Sequence, residues 1–180
     1  MTTTPETPTT RTLVVNLYGG PGTGKSTTAA ATFALLKQQR INTELAGEYA
    51  KEAFWDGREY LLKDQLYIFA KQRRRIASLY GKVDVVVTDS PLYLSYHYSK
   101  NLHIMGLIQD EMPQADNLHV FLRRRKEYNP AGRYQTAEEA RGIDDEIKQM
   151  LTKFELPYHE VDADVHAAEA ILELVHQRRK

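Results

Sequence analysis

The stretch TLVVNLYGGPGTGKSTTAA, residues 12–30, decides the fold. Its first seven residues are an apolar, β-branched run. Glycines and a proline interrupt that run at 19–24, and an alanine-rich helical pattern takes over from there. Within it, Gly19 to Ser26 matches G-x-x-x-x-G-K-[ST]. The glycines allow a tight turn in which successive N–H groups point inward, and the following helix adds its positive end, so the loop is built to hold phosphate. Gly19, Gly20, Pro21, Gly22, Thr23, Gly24, Lys25, Ser26 and Thr27 are therefore the expected nucleotide-binding residues. Lys25 is expected to reach the β- and γ-phosphates, and the Ser26 hydroxyl to face Mg²⁺. A glycine-rich turn before a helix has the same outline, but the strand on one side and the helix on the other are the context the phosphate loop requires.

Outward from this loop, apolar runs alternate with helical patterns. Strands are expected at 12–18, 41–46, 83–91, 118–123 and 157–164. Helices are expected at 24–39, in a short piece within 47–60, at 60–81 closed by Gly81, at 136–154 and at 164–179, with 92–113 part helix and part loop. Such alternation predicts an α/β domain with a five-stranded parallel sheet covered on both faces. Val14, Leu17, Val85, Val87, Val120, Leu122, Ile171 and Leu174 are the expected core. The Thr/Pro-rich residues 1–10 have little to bury and read as a disordered tail, leaving 11–180 as a single domain.

Asp89 ends the run VVVTD, 85–89, where a nucleotide-binding fold needs a carboxylate for the metal; helix capping is the competing role. Ser90, in the same Asp-Ser-Pro turn, lies near the expected acceptor. Glu48 follows the second strand, at the end of the sheet where ligands bind. It could take the proton of an attacking hydroxyl, or be a solvated loop carboxylate. The loop 123–135 carries Arg123, Arg124, Arg125, Lys126 and Arg133 and could close as a basic lid, with Arg125 and Arg133 on the nucleotide. Arg73, Arg74 and Arg75 read as a solvated helix face. Tyr49, Trp55, Arg58 and Tyr93 flank the expected crevice as acceptor-binding candidates, together with Tyr96 and Tyr98, although aromatic residues at such spacing are commonly packing residues.

Composition narrows the function. Formal charge is zero, with 24 basic and 24 acidic residues, so no whole-molecule field draws nucleic acid or an anionic membrane. No apolar run is long enough to span a bilayer. Cysteine is absent, which excludes disulfides and thiolate metal sites and fits a cytoplasmic setting. No Asn-Lys-x-Asp guanine-reading motif and no LSGGQ-like signature occurs, which argues against GTPases and ABC ATPases. The remaining outline is that of a nucleoside or nucleotide kinase using ATP and Mg²⁺.

The stretches GGPGTGKST, GEYAKE, VVVTDSPL and FLRRRKEYNPAGRYQTAEEARGID resemble bacteriophage P-loop kinases of the AAA_28 type, from about Arg11 onward. The Glu48-Tyr49-Ala50-Lys51 stretch is more distantly similar to ribosylnicotinamide kinases, and the outline to deoxynucleoside kinases. The phage family includes 5-hydroxymethyluridine DNA kinases, so the resemblance implies hydroxymethylated DNA as acceptor. A nucleoside, a nucleotide or nicotinamide riboside is the alternative, and an ATP-dependent switch without acceptor a third. The resemblance further implies strand order 2-3-1-4-5, Glu48 as general base, Arg133 as lid arginine from the Tyr128–Gln135 stretch, and adenine near Asp162 to Asp164. The zero net charge stands against DNA unless Arg73–Arg75 and Arg123–Lys126 grip it locally.

Overall fold

The computed structural model describes residues 11–125 and 136–179. The expected tail 1–10, residues 126–135 of the expected lid, Arg133 included, and residue 180 lie outside the described residues. The elements run β1 (Leu13–Tyr18), α1 (Lys25–Gln38), β2 (Thr43–Ala46), α2 (Tyr49–Trp55), a 3-10 helix (Glu59–Lys63) and α3 (Gln65–Ala77). They continue with β3 (Val85–Thr88), α4 (Tyr93–Ser99), α5 (Leu102–Glu111), a second 3-10 turn (Met112–Gln114), β4 (Asp116–Arg123), α6 (Ala137–Lys153), β5 (Tyr158–Asp162) and α7 (Ala167–Arg178).

The five strands form one sheet in the order β2-β3-β1-β4-β5, every neighbouring pair parallel. β1 is central. It pairs Val14 with Val86 on one side and with Asn117 on the other, and all six of its residues are buried. Strands buried on both faces favour apolar residues at every position, which is why β1 and β3 read as apolar runs; the buried exception in β1, Asn16, donates to Val14 O and Asn117 Oδ1.

Because side chains alternate along a strand, each run feeds two cores. Leu13, Val15, Leu17, Val85, Val87, Leu118, Val120 and Leu122 pack with Ala29, Leu36, Ile171 and Val175 under α1 and α7. Val14, Tyr18, Val86 and Phe121 face the other way, onto Phe69, Ile76, Ile104, Ile108, Ile147 and Leu151 of α3, α5 and α6. Of the residues expected in the core, only Leu174 is partly exposed, at the margin of the first cluster, because α7 turns Ile171, Leu172 and Val175 inward instead. A third, small cluster of Tyr49, Ala53 and Ile68 joins α2 to α3.

The expected single helix over 60–81 is two elements. The apolar periodicity continues through the break, but the Asp64 side chain accepts a hydrogen bond from Tyr67 N–H and starts α3 there, behind the 3-10 turn. Gly81, at φ 70°, lies in the turn beyond α3. Among the described residues, no helix is long and apolar enough to cross a membrane.

Candidate active site

The phosphate loop bridges β1 and α1 at the C-terminal edge of the sheet. Gly19 has φ 144°, and a side chain there would begin 2.7 Å from Thr23 Oγ1. Gly24 caps α1 in the left-handed region at φ 102°. Thr23 Oγ1 donates to Gly20 O at 2.6 Å and braces the turn. Lys25 Nζ folds back onto the loop, donating to Gly19 O at 2.6 Å and Gly20 O at 3.1 Å. Ser26 and Thr27 are exposed on the first turn of α1.

Three carboxylates surround Lys25. Burial lowers the affinity of its amine for a proton, while Glu48, Asp89 and Asp144 raise it and Arg124 opposes them. Glu48, at the start of α2, makes no capping bond with its side chain, so its carboxylate stays available to the site. Burial raises its pKa, Lys25 pulls it back, and Asp89 raises it further. A carboxylate held this way is a better proton acceptor than an ordinary one.

Asp89 directly follows β3, at 5% exposure, and its Oδ1 is buried without a hydrogen-bond partner among the described residues. An orphaned carboxylate oxygen beside Lys25 fits a hard divalent cation. No cluster of three or more histidine, aspartate or glutamate side chains able to hold a metal occurs among the described residues. Mg²⁺ here would thus be held by Asp89, Ser26 and the phosphates of the nucleotide.

Two structural devices had no signature in the sequence. Gln72, 2% exposed on α3, accepts from Tyr49 N–H at 2.9 Å and donates to Gly47 O at 3.3 Å and Thr88 Oγ1 at 3.4 Å. Thr88 Oγ1 in turn donates to Ala46 O and accepts from Ser90 N–H. One buried amide therefore sets the loops that carry Glu48 and Asp89. On the other flank, Asp144 of α6 accepts from Gly20 N–H and from Arg124 Nε at 3.0 Å, and Arg124 Nη2 donates to Pro21 O at 2.9 Å. α6 and the end of β4 are thereby bound to the phosphate loop itself.

Four further arginines, Arg73, Arg75, Arg123 and Arg125, are committed to ion pairs. Arg125 and Arg123 both pair with Asp162 at 2.7 Å, which ties the segment after β4 to the end of β5. Arg73 pairs with the buried Glu111, and Arg75 with Glu52 and Gly47 O. Arg73 and Arg75 are thus ion-pair partners, not a purely solvated face.

The aromatic candidates divide. Tyr49 is buried, its hydroxyl bonded to Tyr67 and approached by Arg58, its ring covered by the Arg75 guanidinium. Tyr93 is buried with its ring against His119 and Phe154, and Tyr96 packs edge-on to Phe154. Arg58 also pairs with Asp56. Trp55 is 71% exposed at the end of α2, edge-on to Phe54. Tyr98 behaves differently: its ring is half exposed, yet its hydroxyl is pushed up to about 12 by burial and by the charges of Glu48 and Asp144. Its ring lies edge-on to His97.

The chain matches the family model described as AAA_28, AAA domain, over residues 14–168. No curated protein matches it. Among solved structures it is similar to NadR protein in complex with NR, at 20% identity and TM-score 0.68. That likeness covers 92% of this chain and 52% of the other, so this chain spans about half the length of that protein. It is also similar to deoxyadenosine kinase from M. mycoides with products dCMP and dCDP, at 15% identity and TM-score 0.56, over 92% of this chain and 98% of that one. At these identities the likeness is one of fold.

Proposed function

The chain belongs to the AAA_28 family, and on that footing we propose that it is an ATP-dependent kinase that moves the γ-phosphoryl group to a hydroxyl of a nucleoside-like acceptor. The observation that carries this reading is the convergence of Lys25, Glu48 and Asp89 at one end of the sheet, with Glu48 half-buried, its proton affinity raised and its carboxylate unused by its own helix.

In this reading Lys25 leaves the carbonyls of Gly19 and Gly20 for the β- and γ-phosphates, and the loop N–H groups bind the same oxygens. Asp89 and Ser26 would hold Mg²⁺, which would supply charge neutralisation on the phosphates when bound. Glu48 takes the proton of the acceptor hydroxyl as its oxygen bonds to the γ-phosphorus and the bond to ADP breaks. Arg133 is assigned to the transferring group from the resemblance of its stretch, and Arg125 to the nucleotide at the lid root, near the adenine position by Asp162 to Asp164. Catalysis on this scheme is positioning and electrostatics.

A second reading places the acceptor hydroxyl on 5-hydroxymethyluracil within DNA. The Tyr128–Gln135 stretch favours it through its similarity to the phage DNA kinases. The ion pairs of Arg73, Arg75 and Arg123–Arg125 count against it, because each arginine would have to exchange a carboxylate for a DNA phosphate. An acceptor panel with γ-labelled ATP and Mg²⁺ separates the two: 5-hydroxymethyldeoxyuridine free and in DNA, unmodified DNA, deoxynucleosides, nicotinamide riboside, and no acceptor. Label on a free nucleoside supports the first reading, and label only in the modified DNA the second. Free phosphate alone from every mixture would overturn both and leave an ATP-dependent switch.

A further inference from the structure

An open cleft of about 650 Å³ lies between the start of α3 and the junction of α4 with α5. Its size suits a small organic ligand. Tyr60, at 70% exposure, and Tyr98, at 51%, present their rings to it, and Lys63, Gln65 and Asn101 supply polar groups. Exposed aromatic rings at the rim of a cleft are surfaces on which a planar ring can stack.

The two amides are oriented by bonds to the backbone. Gln65 donates its Nε2–H to Leu62 O at 2.8 Å, which leaves Oε1 as an acceptor. Asn101 accepts from His103 N–H with Oδ1 at 2.8 Å, which leaves Nδ2 as a donor. One cleft thus holds a fixed acceptor and a fixed donor. The complementary ligand edge is a donor beside an acceptor, which is the amide or imide edge of a nucleobase or a ring carboxamide.

Resting on the kinase reading above, we propose that this cleft seats the ring of the acceptor, with Gln65 and Asn101 reading its amide edge and Tyr60 and Tyr98 flanking its faces. α3 joins the cleft to the chemistry: Gln65 stands two turns, about 10 Å, before Gln72 on one face of the helix, and the Gln72 amide holds the loop that carries Glu48. A ring held here directs its hydroxyl-bearing substituent past Tyr98 toward Glu48. The residues set which acceptor is held, not how fast the phosphoryl group moves, so their loss belongs in the acceptor KM.

The test uses the full chain with ATP and Mg²⁺, and thymidine, 5-hydroxymethyldeoxyuridine, nicotinamide riboside and the N3-methyl forms of the first two as acceptors. Asn101→Asp keeps an oxygen to cap α5 but replaces the donor by an acceptor. It is expected to raise the KM of the phosphorylated acceptor about tenfold, the effect of losing one good polar contact, with kcat and the KM for ATP unchanged. N3-methylation removes the donor that faces Gln65 and is expected to cost the wild type and Asn101→Asp alike, about tenfold each. Tyr60→Ala is expected to act on the same KM. Transfer with an unchanged acceptor KM in both variants would overturn the cleft assignment while the kinase reading stands. Were no nucleoside phosphorylated, the kinase reading would fail, and an NMR titration with thymidine would decide the cleft alone. Shifts of the Gln65 and Asn101 side-chain amides with thymidine but not with N3-methylthymidine sustain it; their absence overturns it.

Discussion

Replacing Asp144 by alanine removes the anion that holds Gly20 N–H and Arg124 together. Both side chains of the pair are nearly enclosed, at 13% and 14% exposure. Removing one partner of a buried pair costs about 3–5 kcal/mol, because the other charge is left in a poor environment. Arg124 keeps its bond to Pro21 O, so the lower end applies, about 3 kcal/mol. In a domain of this size that corresponds to a fall in melting temperature of roughly 6–12 °C. Asp144→Asn retains an acceptor for Gly20 N–H but not the charge, and falls between. The assay is thermal and urea unfolding of the nucleotide-free protein, with Arg124→Ala and the double variant completing a cycle. The double variant is expected to cost less than the sum of the singles. Calorimetric titration is expected to show weaker ATP binding for Asp144→Ala, because the loop N–H groups lose their brace. A melting temperature within about 2 °C of wild type would refute the reasoning, since it would correspond to less than about 1 kcal/mol.

Gly20→Ala is expected to destabilise and to weaken ATP binding together, because its Cβ would lie 2.7 Å from Ala140 O and 2.8 Å from Asp144 Oδ1; unfolding and titration check it, and an unchanged protein would disprove the tight contact with α6. Lys25→Ala is expected to abolish phosphoryl transfer, and Glu48→Gln to lower kcat far more than ATP affinity. The acid limb of the kcat profile is expected above pH 4.5, where burial places Glu48, and to vanish in Glu48→Gln. Equal turnover of Glu48→Gln would remove it from the base role. His97 and His119 are held neutral, chiefly by burial, with pKa lowered from 6.5 to about 4. The unfolded chain takes up these protons below pH 6.5 and the folded chain only below about 4, so stability is complete above 6.5 and drains as pH falls to 4. At pH 5 the loss is about 2 kcal/mol per histidine. Urea midpoints at pH 7 and pH 5 measure it, and a His97→Gln/His119→Gln variant is expected to show a flatter profile.

Much of the architecture was legible because its signals are local. The turn after Tyr18 needs glycine at Gly19, where a Cβ would strike Thr23, and at Gly24, where φ is 102°. β3 needs Val85, Val86 and Val87 because both its faces are covered. The strand order needed the resemblance as well, since alternation alone does not say which strands are neighbours. The break at Asp64 was hidden by apolar residues that continue across it. Asp144 and Gln72 were hidden for another reason: their partners lie 124 and 23 residues away, at Gly20 and Tyr49, and no sequence spacing marks an acceptor that only packing brings to an N–H group. Tyr49 and Tyr93 show the converse, as their place in the chain suggested the acceptor while their rings are covered by Arg75, His119 and Phe154.

The small cluster of Tyr49, Ala53 and Ile68 sits apart from the two cores that clasp the sheet. It joins the sheet through the amide of Gln72, whose bonds to Gly47 and Thr88 are long, at 3.3 and 3.4 Å. Segments tied in this way open as units without global unfolding. In a hydrogen-exchange experiment the amides of α2 are expected to trade their protons for deuterium well before those of β1 and β3, and Gln72→Leu to hasten α2 while leaving β1 unchanged. Glu48 rides on that segment, so how often the segment opens would set how long an acceptor stays beside it.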